Sequence, residues 1–224
     1  MVEIIDGIKF YNNGNYSEAL TVLLSLPDGA DKDDPFQIAY YLGLSYVRLK
    51  RYEDAIGYLE QVVTSDENIA RVYQCRLILA YSYTMTGRSR LAEFELSKLI
   101  SAGYESAQVY ASMAFIAYEH EDVEKAIECY EKSLKIDPNN TTAQNGLGYI
   151  YADTDKDIKK ALVFCKKAND LSPDNPVYMD SLAWVYHKMK FPNEAKKLIT
   201  RVKEMLPENK LVLEHYREII ENED

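Results

Sequence analysis

The sequence is poor in the two residues that most often form turns, because its 224 residues include only 9 Gly and 7 Pro. Phe and Trp are also scarce, with 6 and 1 copies, whereas Tyr is present 19 times. A sandwich or barrel of short strands needs many Gly- and Pro-containing turns, so this composition argues against a sheet protein. It favours helices that carry amphipathic, aromatic faces.

Positive charge is also in short supply. Asp and Glu number 36 against 26 Lys and Arg, which gives a formal net charge of −10. A surface of this kind repels a phosphate backbone, so we predict no nucleic-acid partner. No apolar run approaches the roughly 20 residues that a membrane-spanning helix needs, and the first residues do not resemble a signal peptide. Membrane association is therefore expected only if a signal or lipid anchor precedes Met1.

Residues that commonly perform chemistry are few and scattered. The candidates are Cys75, Cys129, Cys165, His120, His187 and His215. The cysteines form no close metal-ligand pair and are expected to be small buried thiols, and no histidine has a second one a helical turn away. The sequence also lacks a glycine-rich phosphate loop and a nucleophile-elbow serine. We therefore predict no catalytic residue, no metal and no cofactor.

What the sequence does contain is an internal repeat. An alanine followed four residues later by a large side chain returns six times, at intervals of 34 to 37 residues. The six pairs are Ala19/Leu23, Ala55/Leu59, Ala92/Leu96, Ala126/Tyr130, Ala161/Cys165 and Ala195/Ile199. Upstream of every pair from the second onward, a further small residue follows a Leu or Met. These small residues are Gly43, Ala80, Ala114, Gly148 and Ala183. Small residues at fixed places on two helices mark the point where the helices come close.

Three of the repeats end at a proline, Pro138, Pro173 or Pro207, which has no backbone donor and stops a helix. Together these patterns resemble the tetratricopeptide repeat, and the resemblance covers nearly the whole chain. It implies an all-α, right-handed superhelix of about six helix-turn-helix repeats followed by a C-terminal capping helix. The implied boundaries within a single domain, residues 1–224, are about 1–33, 36–69, 73–106, 107–140, 141–175 and 176–209, with the cap at about 208–221.

Three segments depart from the regular repeat. Residues 26–35 are rich in Asp, Gly and Pro and are predicted to form a loop. Past Pro207 one more amphipathic helix is predicted, with Leu211, Tyr216 and Ile219 or Ile220 available for docking on the last repeat. The first repeat starts next to Met1 and has no comparable cap. We therefore expect either further residues upstream or a second chain over that face.

The last third of the chain narrows the resemblance. The segments Asn145–Tyr151 and Asp180–Tyr186 resemble paired signatures of bacterial tetratricopeptide-repeat proteins, many of which are exported or lipid-anchored envelope proteins. This resemblance implies a bacterial source. It also implies a periplasmic or envelope-tethered location if Met1 is not the natural start, and a cytoplasmic location otherwise.

In this family a concave groove is lined by positions 2, 5, 9 and 12 of the first helix in each repeat, which share one helical face. The groove residues predicted from positions 2, 5 and 9 are Gln37, Tyr40, Leu44, Gln74, Leu77, Tyr81, Gln108, Phe115, Tyr149 and Trp184. Chaperone adaptors of the family clamp a terminal carboxylate with Lys, Asn and Arg at such positions. This sequence has mostly aromatics at position nine, so an extended, partly apolar segment fits better, with glutamine amides bonding to its backbone.

Two interpretations of position nine remain open at this point. The aromatic side chains are either an exposed binding face or part of the core between neighbouring helices, which is the more common place for an aromatic residue on a helix. His187 and Lys188, at the rim of the groove, are expected to be solvated.

Three functions are compatible with these patterns. The leading hypothesis is a non-enzymatic interaction scaffold that binds a peptide segment or a partner helix in the groove. The second is a self-assembly module in which the uncapped first repeat forms a homo-oligomer. The third is a small-molecule-binding or transport-accessory protein of the bacterial envelope, which would need a closed pocket lined by Tyr and Trp.

Overall fold

A computed structural model describes residues 3–26 and 35–221 of the chain. Within these ranges the chain forms thirteen α-helices and one short π-helical turn, and it has no strand. The predicted all-α helical repeat fold is therefore confirmed. Most of the predicted loop at 26–35, together with Met1 and Val2, lies outside the described residues.

The helices form two compact units, residues 1–105 and 106–224. The first unit contains α1 (Ile4–Asn12), α2 (Tyr16–Leu24), α3 (Pro35–Arg48), α4 (Tyr52–Ser65), α5 (Ile69–Met85) and α6 (Ser89–Ser101). The second contains α7 (Ala107–Glu119), α8 (Val123–Ile136), α9 (Thr141–Asp153), α10 (Ile158–Leu171), α11 (Pro176–Lys188), α12 (Pro192–Met205), α13 (Lys210–Tyr216) and the π-helical turn (Arg217–Glu221). The assignment of all 224 residues to a single domain stays a prediction.

Within each unit every helix packs against the next one along the chain. The odd-numbered helices also pack against each other, α1 with α3 and α3 with α5 in the first unit, and α7, α9, α11 and α13 in succession in the second. The first helices of the repeats therefore form one layer of each unit and the second helices form another. We refer to the layer of odd-numbered helices as the first-helix layer.

The small residues of the repeat lie at the contacts between these helices. All six repeat alanines have 0% of their surface exposed. An added carbon at Gly43 would lie 2.7 Å from Leu59 Cδ2, and one at Gly148 would lie 2.6 Å from Cys165 Sγ and 2.9 Å from the Cys165 backbone nitrogen. These separations leave no room for a larger side chain, which explains why the repeat has Ala or Gly at these points.

Polar residues set the start of many helices. Seven N-terminal caps have a side-chain oxygen that accepts a hydrogen bond from a backbone N–H two or three residues later. These caps are Asn68, Ser106, Asp122, Asn140, Asp157, Asn175 and Asn209. Each cap satisfies a donor that the helix itself leaves unpaired and is worth about 1 kcal/mol.

The turn between the two helices of a pair contains one residue with left-handed backbone geometry. These residues are Gly14, Lys50, Gly87, Glu121, Asp155 and Lys190, with φ between 51° and 81°. The recurrence shows that the turn itself requires positive φ, which glycine adopts without strain and other residues adopt at a cost of about 1–2 kcal/mol. The turn after Asp153 is one residue longer than those of the other repeats, and it keeps this geometry at Asp155, whose φ is 51°.

The three cysteines are buried free thiols, as predicted. Burial raises the pKa of both Cys75 and Cys165 to about 12, so both stay protonated and unreactive near neutral pH.

The final helix docks on the last repeat with most of the predicted residues, because Ile219 is part of the hydrophobic cluster there and Tyr216 and Ile220 pack against it. Leu211 is 43% exposed, whereas Val212, His215 and Ile219 are buried at 3%, 4% and 2%. The prediction that Leu211 docks is therefore wrong. Val212, the next residue along the chain, takes its place in the hydrophobic cluster that includes Ile199 of α12.

Three Gly→Ala substitutions distinguish the effect of packing on stability from the effect of backbone conformation. Gly148→Ala is expected to lower the free energy of unfolding by about 1–3 kcal/mol, because the Cys165 backbone cannot move away. Gly57→Ala, in the exposed interior of α4, is expected to raise it by about 0.5–1 kcal/mol. An added carbon at Gly87 also meets open space, but Gly87 has a φ of +74°. Gly87→Ala is therefore expected to lower the free energy of unfolding by about 1 kcal/mol. Urea denaturation measures all three, and equal effects at Gly57 and Gly87 would contradict the backbone explanation.

Candidate functional site

The first unit contains a cleft of about 520 Å³ in its first-helix layer. One group of lining residues comes from the ends of α1 and α3, the turn after α3 and the start of α4, and consists of Tyr11, Asn12, Val47, Arg48, Lys50 and Tyr52. The other comes from the middle of α3 and α5, and consists of Tyr40, Tyr41, Leu44, Gln74, Ile78 and Tyr81. We call this feature the tyrosine cleft.

The tyrosine rings of the cleft contact one another edge to face. Tyr11 and Tyr41 have ring centroids 5.4 Å apart at 69°, and Tyr40 and Tyr41 have centroids 5.1 Å apart at 77°. On the other side, Tyr52 and Tyr81 are 5.7 Å apart at 83°, with their hydroxyl oxygens at 3.4 Å. Such pairs fix the rings in place and are worth about 0.5–1.5 kcal/mol each. The cleft is therefore pre-formed by its own aromatic contacts.

Two phenol groups of the cleft, those of Tyr40 and Tyr52, stay protonated over a wide pH range. Burial is the main cause that raises the pKa of Tyr40 to about 12. The hydrogen bond to Tyr81, followed by burial, raises the pKa of Tyr52 to about 12. Among the described residues, the hydroxyls of Tyr40 and Tyr41 have no hydrogen-bond partner, so both can donate to a bound ligand.

Four of the six residues predicted for this unit line the cleft. They are Tyr40, Leu44, Gln74 and Tyr81. Gln37 and Leu77, both half-buried, do not line it. The prediction missed Tyr11 and Val47, which occupy position twelve of their repeats and would have been found by reading that position through the chain. Arg48, Lys50 and Tyr52 follow position twelve, where the groove pattern of the family gives no signal.

The second unit presents its predicted residues differently. Phe115 is 44% exposed and Gln108 is also exposed on α7. Tyr149 and Trp184 are half-buried, and Tyr149 has ring centroids 6.1 Å from Tyr118 and 5.9 Å from His215. Position nine is therefore neither a uniformly exposed face nor a uniformly buried one. Its accessibility changes from repeat to repeat.

Trp184 lies between two imidazole rings. The ring of His215 from α13 stacks at 4.4 Å and 14°, and the ring of His187 at 5.3 Å and 23°. His215 Nδ1 also lies 3.0 Å from Asp180 Oδ2, and both side chains are at least nine-tenths buried. The last helix of the chain thus covers Tyr149 and Trp184, which sequence patterns had assigned to an open groove.

The rim residues of the second unit are also more constrained than expected. Lys188 Nζ lies 3.2 Å from the Asp155 carboxylate and 5.4 Å from the centroid of the Trp184 ring. His187 stacks on the same ring, and burial lowers its pKa. The prediction that His187 and Lys188 are simply solvated is wrong, because both pack on the indole ring of Trp184.

Comparison with known proteins identifies the repeat. Family models described as a tetratricopeptide repeat and a TPR repeat match residues 7–68 and 116–155. The chain is a tetratricopeptide-repeat protein. Proteins of this family are typically non-enzymatic scaffolds that bind protein partners. Within residues 3–26 and 35–221, no helix is both long enough and apolar enough to cross a membrane.

Solved structures share this tetratricopeptide fold at low sequence identity. The chain matches the Cut9–Hcn1 hetero-tetramer of the APC/C with a TM-score of 0.76 and 16% identity over 97% of this chain and 42% of that one. It matches YrrB, described as a TPR protein with an unusual peptide-binding site, with a TM-score of 0.53 and 14% identity over 89% and 96% of the two chains. Identities this low show the shared fold and nothing finer.

One curated relative is more similar in sequence over a shorter stretch. The NADPH oxidase activator of Dictyostelium discoideum is 31% identical over 94 residues, which is 42% of this tetratricopeptide chain. The match spans only 14% of that relative's length. A bacterial source for this chain stays a prediction.

Substitution at position nine is expected to have unequal effects in the second unit. Trp184→Ala should lower the free energy of unfolding by about 2–4 kcal/mol, because the ring is stacked on His215 and packs against two core clusters. Phe115→Ala should lower it by less than about 1 kcal/mol, because that ring is 44% exposed. Thermal unfolding followed by circular dichroism compares the two, and similar losses would show that Phe115 is also a core residue.

Proposed function

We propose that this protein is an interaction scaffold that binds a peptide segment or helix of another protein on its first-helix layer. The tyrosine cleft of the first unit is the main contact surface in this proposal. The observation that supports it most is a pre-formed group of phenols with two unpaired donors, Tyr40 and Tyr41, beside the exposed amide of Gln74. Rigid aromatic side chains are common anchors of protein interfaces, and phenol and amide groups can bond to a peptide backbone.

The known relatives are compatible with this role. YrrB is a TPR protein with an unusual peptide-binding site, and Cut9 forms a complex with another protein, Hcn1. The relative from Dictyostelium is named as an activator of an oxidase. A peptide or protein ligand is the class that the general function of the family supports.

The exposure of the cleft favours an extended segment over a small molecule. Tyr81 is 49% exposed, and Gln74 is exposed as well. Small-molecule pockets commonly enclose about 70–90% of the ligand surface, which an open row of side chains cannot do. The cleft also has no Trp side chain, because the single Trp of the sequence, Trp184, belongs to the second unit.

The proposal is tested with a displayed library of random peptides selected on the full chain. Peptides enriched on the wild-type protein are expected to bind Tyr81→Ala about 5- to 150-fold more weakly, the equivalent of about 1–3 kcal/mol. The physical reason is the loss of an aromatic anchor and of its hydrogen bond to Tyr52. Fluorescence anisotropy with the synthesised peptides gives the dissociation constants.

Phe94→Ala provides the matched control, because Phe94 is an equally exposed aromatic residue, at 52%, on a second helix away from the cleft. It should bind the selected peptides as the wild type does. Circular dichroism confirms that both variants are folded. A failure to enrich any peptide, or equal weakening by Phe94→Ala, would rule against the tyrosine cleft as the binding surface.

Self-association is a second candidate, supported by a different observation. The α1–α2 pair has a depression of about 470 Å³ whose lining includes the apolar side chains of Phe10 and Val22. Ile5 on the same helix pair is 51% exposed. Exposed apolar surface next to a depression is a common feature of interfaces between subunits.

Sedimentation velocity over roughly 1 to 100 μM protein tests this candidate, since association depends on concentration. If the α1–α2 pair forms the interface, the weight-average mass should rise with concentration and Ile5→Asp should abolish the rise. Glu3→Asp changes a residue two positions from Ile5 and keeps its charge, so the rise of mass with concentration should remain. A constant monomer mass for the wild type removes self-association from consideration.

A further inference from the structure

The tyrosine cleft has a charge that is opposite in sign to that of the chain as a whole. The protein has 36 acidic and 26 basic residues, yet the twelve residues that line the cleft include Arg48 and Lys50 and no Asp or Glu. A lining of this composition makes a local positive potential inside a surface that is otherwise acidic.

These two cations are not neutralised by the described parts of the protein. Neither Arg48 nor Lys50 forms an ion pair there, and both side chains are exposed. Other arginines of the first unit pair with a carboxylate, and these pairs are Arg51–Asp54, Arg71–Asp66, Arg76–Glu95 and Arg88–Glu53. Arg90 and Lys98 of the described first unit also lack such a pair, but neither lines the cleft, so Arg48 and Lys50 are the unpaired cations within it.

The two cations also lie together at one edge of the cleft. Arg48 is the last residue of α3, and Lys50 stands two residues later in the left-handed turn, with φ of 59°. The Tyr11 side chain, near the end of α1, is the main cause that raises the pKa of Arg48. The lining contributed by the middle of α3 and α5 includes two apolar side chains, Leu44 and Ile78.

We propose that the partner of the tyrosine cleft is an acidic segment, in which Asp or Glu side chains contact Arg48 and Lys50 while neighbouring apolar side chains pack on the tyrosines. This inference rests on the proposed peptide-binding function and specifies its ligand. Carboxylates are attracted to unpaired guanidinium and ammonium groups, and the bidentate geometry of Arg48 suits them in particular. The surrounding negative charge of the chain would discourage acidic segments from binding elsewhere on its surface.

A helix-terminal arginine has a structural role as well, because a cation at the C-terminal end of a helix interacts favourably with the helix dipole. That role affects stability and does not depend on the sequence of a ligand. Binding measurements with ligands of different charge therefore distinguish the two roles.

The experiment uses the same displayed library, with peptides fused at both ends so that no free C-terminus is present. On the wild-type chain, Asp and Glu are expected to be enriched above their input frequency, and Lys and Arg depleted. The selected peptides should bind the double variant Arg48→Gln/Lys50→Asn about tenfold more weakly or worse. Asn is chosen at Lys50 because it tolerates positive φ. Affinity should also fall as NaCl rises from about 0.05 to about 0.5 M.

The matched control is Lys159→Gln/Lys166→Gln, which removes two exposed positive charges from α10 of the second unit. It should bind the peptides within about twofold of the wild type, apart from any long-range effect of net charge. Replacing Asp and Glu of the peptide with Asn and Gln should weaken binding to the wild type. The same replacement should cause little further loss with the Arg48/Lys50 variant, as expected for groups in contact.

The outcomes separate the two proposals. Selected peptides that lose affinity on Tyr81→Ala but show no acidic enrichment would leave the peptide-binding function in place and overturn the inference about charge. Binding that requires a free C-terminal carboxylate, seen when synthetic peptides with free and amidated ends are compared, would also overturn it. If no peptide depends on Tyr81, both proposals fail.

Discussion

The close approach of paired helices is the constraint on which the rest of this structure depends. Each contact is made at an alanine without exposed surface, and in several repeats at a glycine or alanine of the partner helix. An additional carbon at Gly43 or Gly148 would overlap the facing helix. Because only the smallest side chains fit, the helices can pair in one register alone. That register determines which side chains of the odd-numbered helices point away from the paired helix, and most of the tyrosine cleft is built from these side chains.

Most of the fold follows from this constraint, and so it could be predicted from sequence. The alanines recur at intervals of 34 to 37 residues, and the six pairs of helices lie where that spacing places them. The orientation of the final helix could not be predicted in the same way. The sequence allows several apolar residues to face the last repeat, and the choice of Val212 over Leu211 depends on how the side chains fit against α12.

Only part of the candidate site could be predicted from the sequence. Positions on one face of a first helix share a surface by helical geometry, which is why Tyr40, Gln74 and Tyr81 could be grouped in advance. Contacts from other elements do not follow that periodicity. Tyr52 belongs to a second helix, and His215 reaches Trp184 only because α13 folds back over α11. Such contacts come from tertiary packing, which a repeat pattern does not encode.

The turns between paired helices constrain the backbone at one residue but leave the type of its side chain largely free. Each turn needs one residue with positive φ, and Gly, Lys, Glu and Asp all satisfy that need in different repeats. At Gly14 and Gly87 an added carbon would have no neighbour within 4 Å, so the side chain at this point of the turn is not fixed by packing. At the turns that already have a charged residue, one charged side chain can therefore replace another at little cost to the fold, whereas replacing Gly14 or Gly87 would cost about 1–2 kcal/mol because of the positive φ. Lys50 is the turn residue that lines the tyrosine cleft, so it gives protein engineers a site at which the charge of the cleft can be changed while the helices keep their pairing.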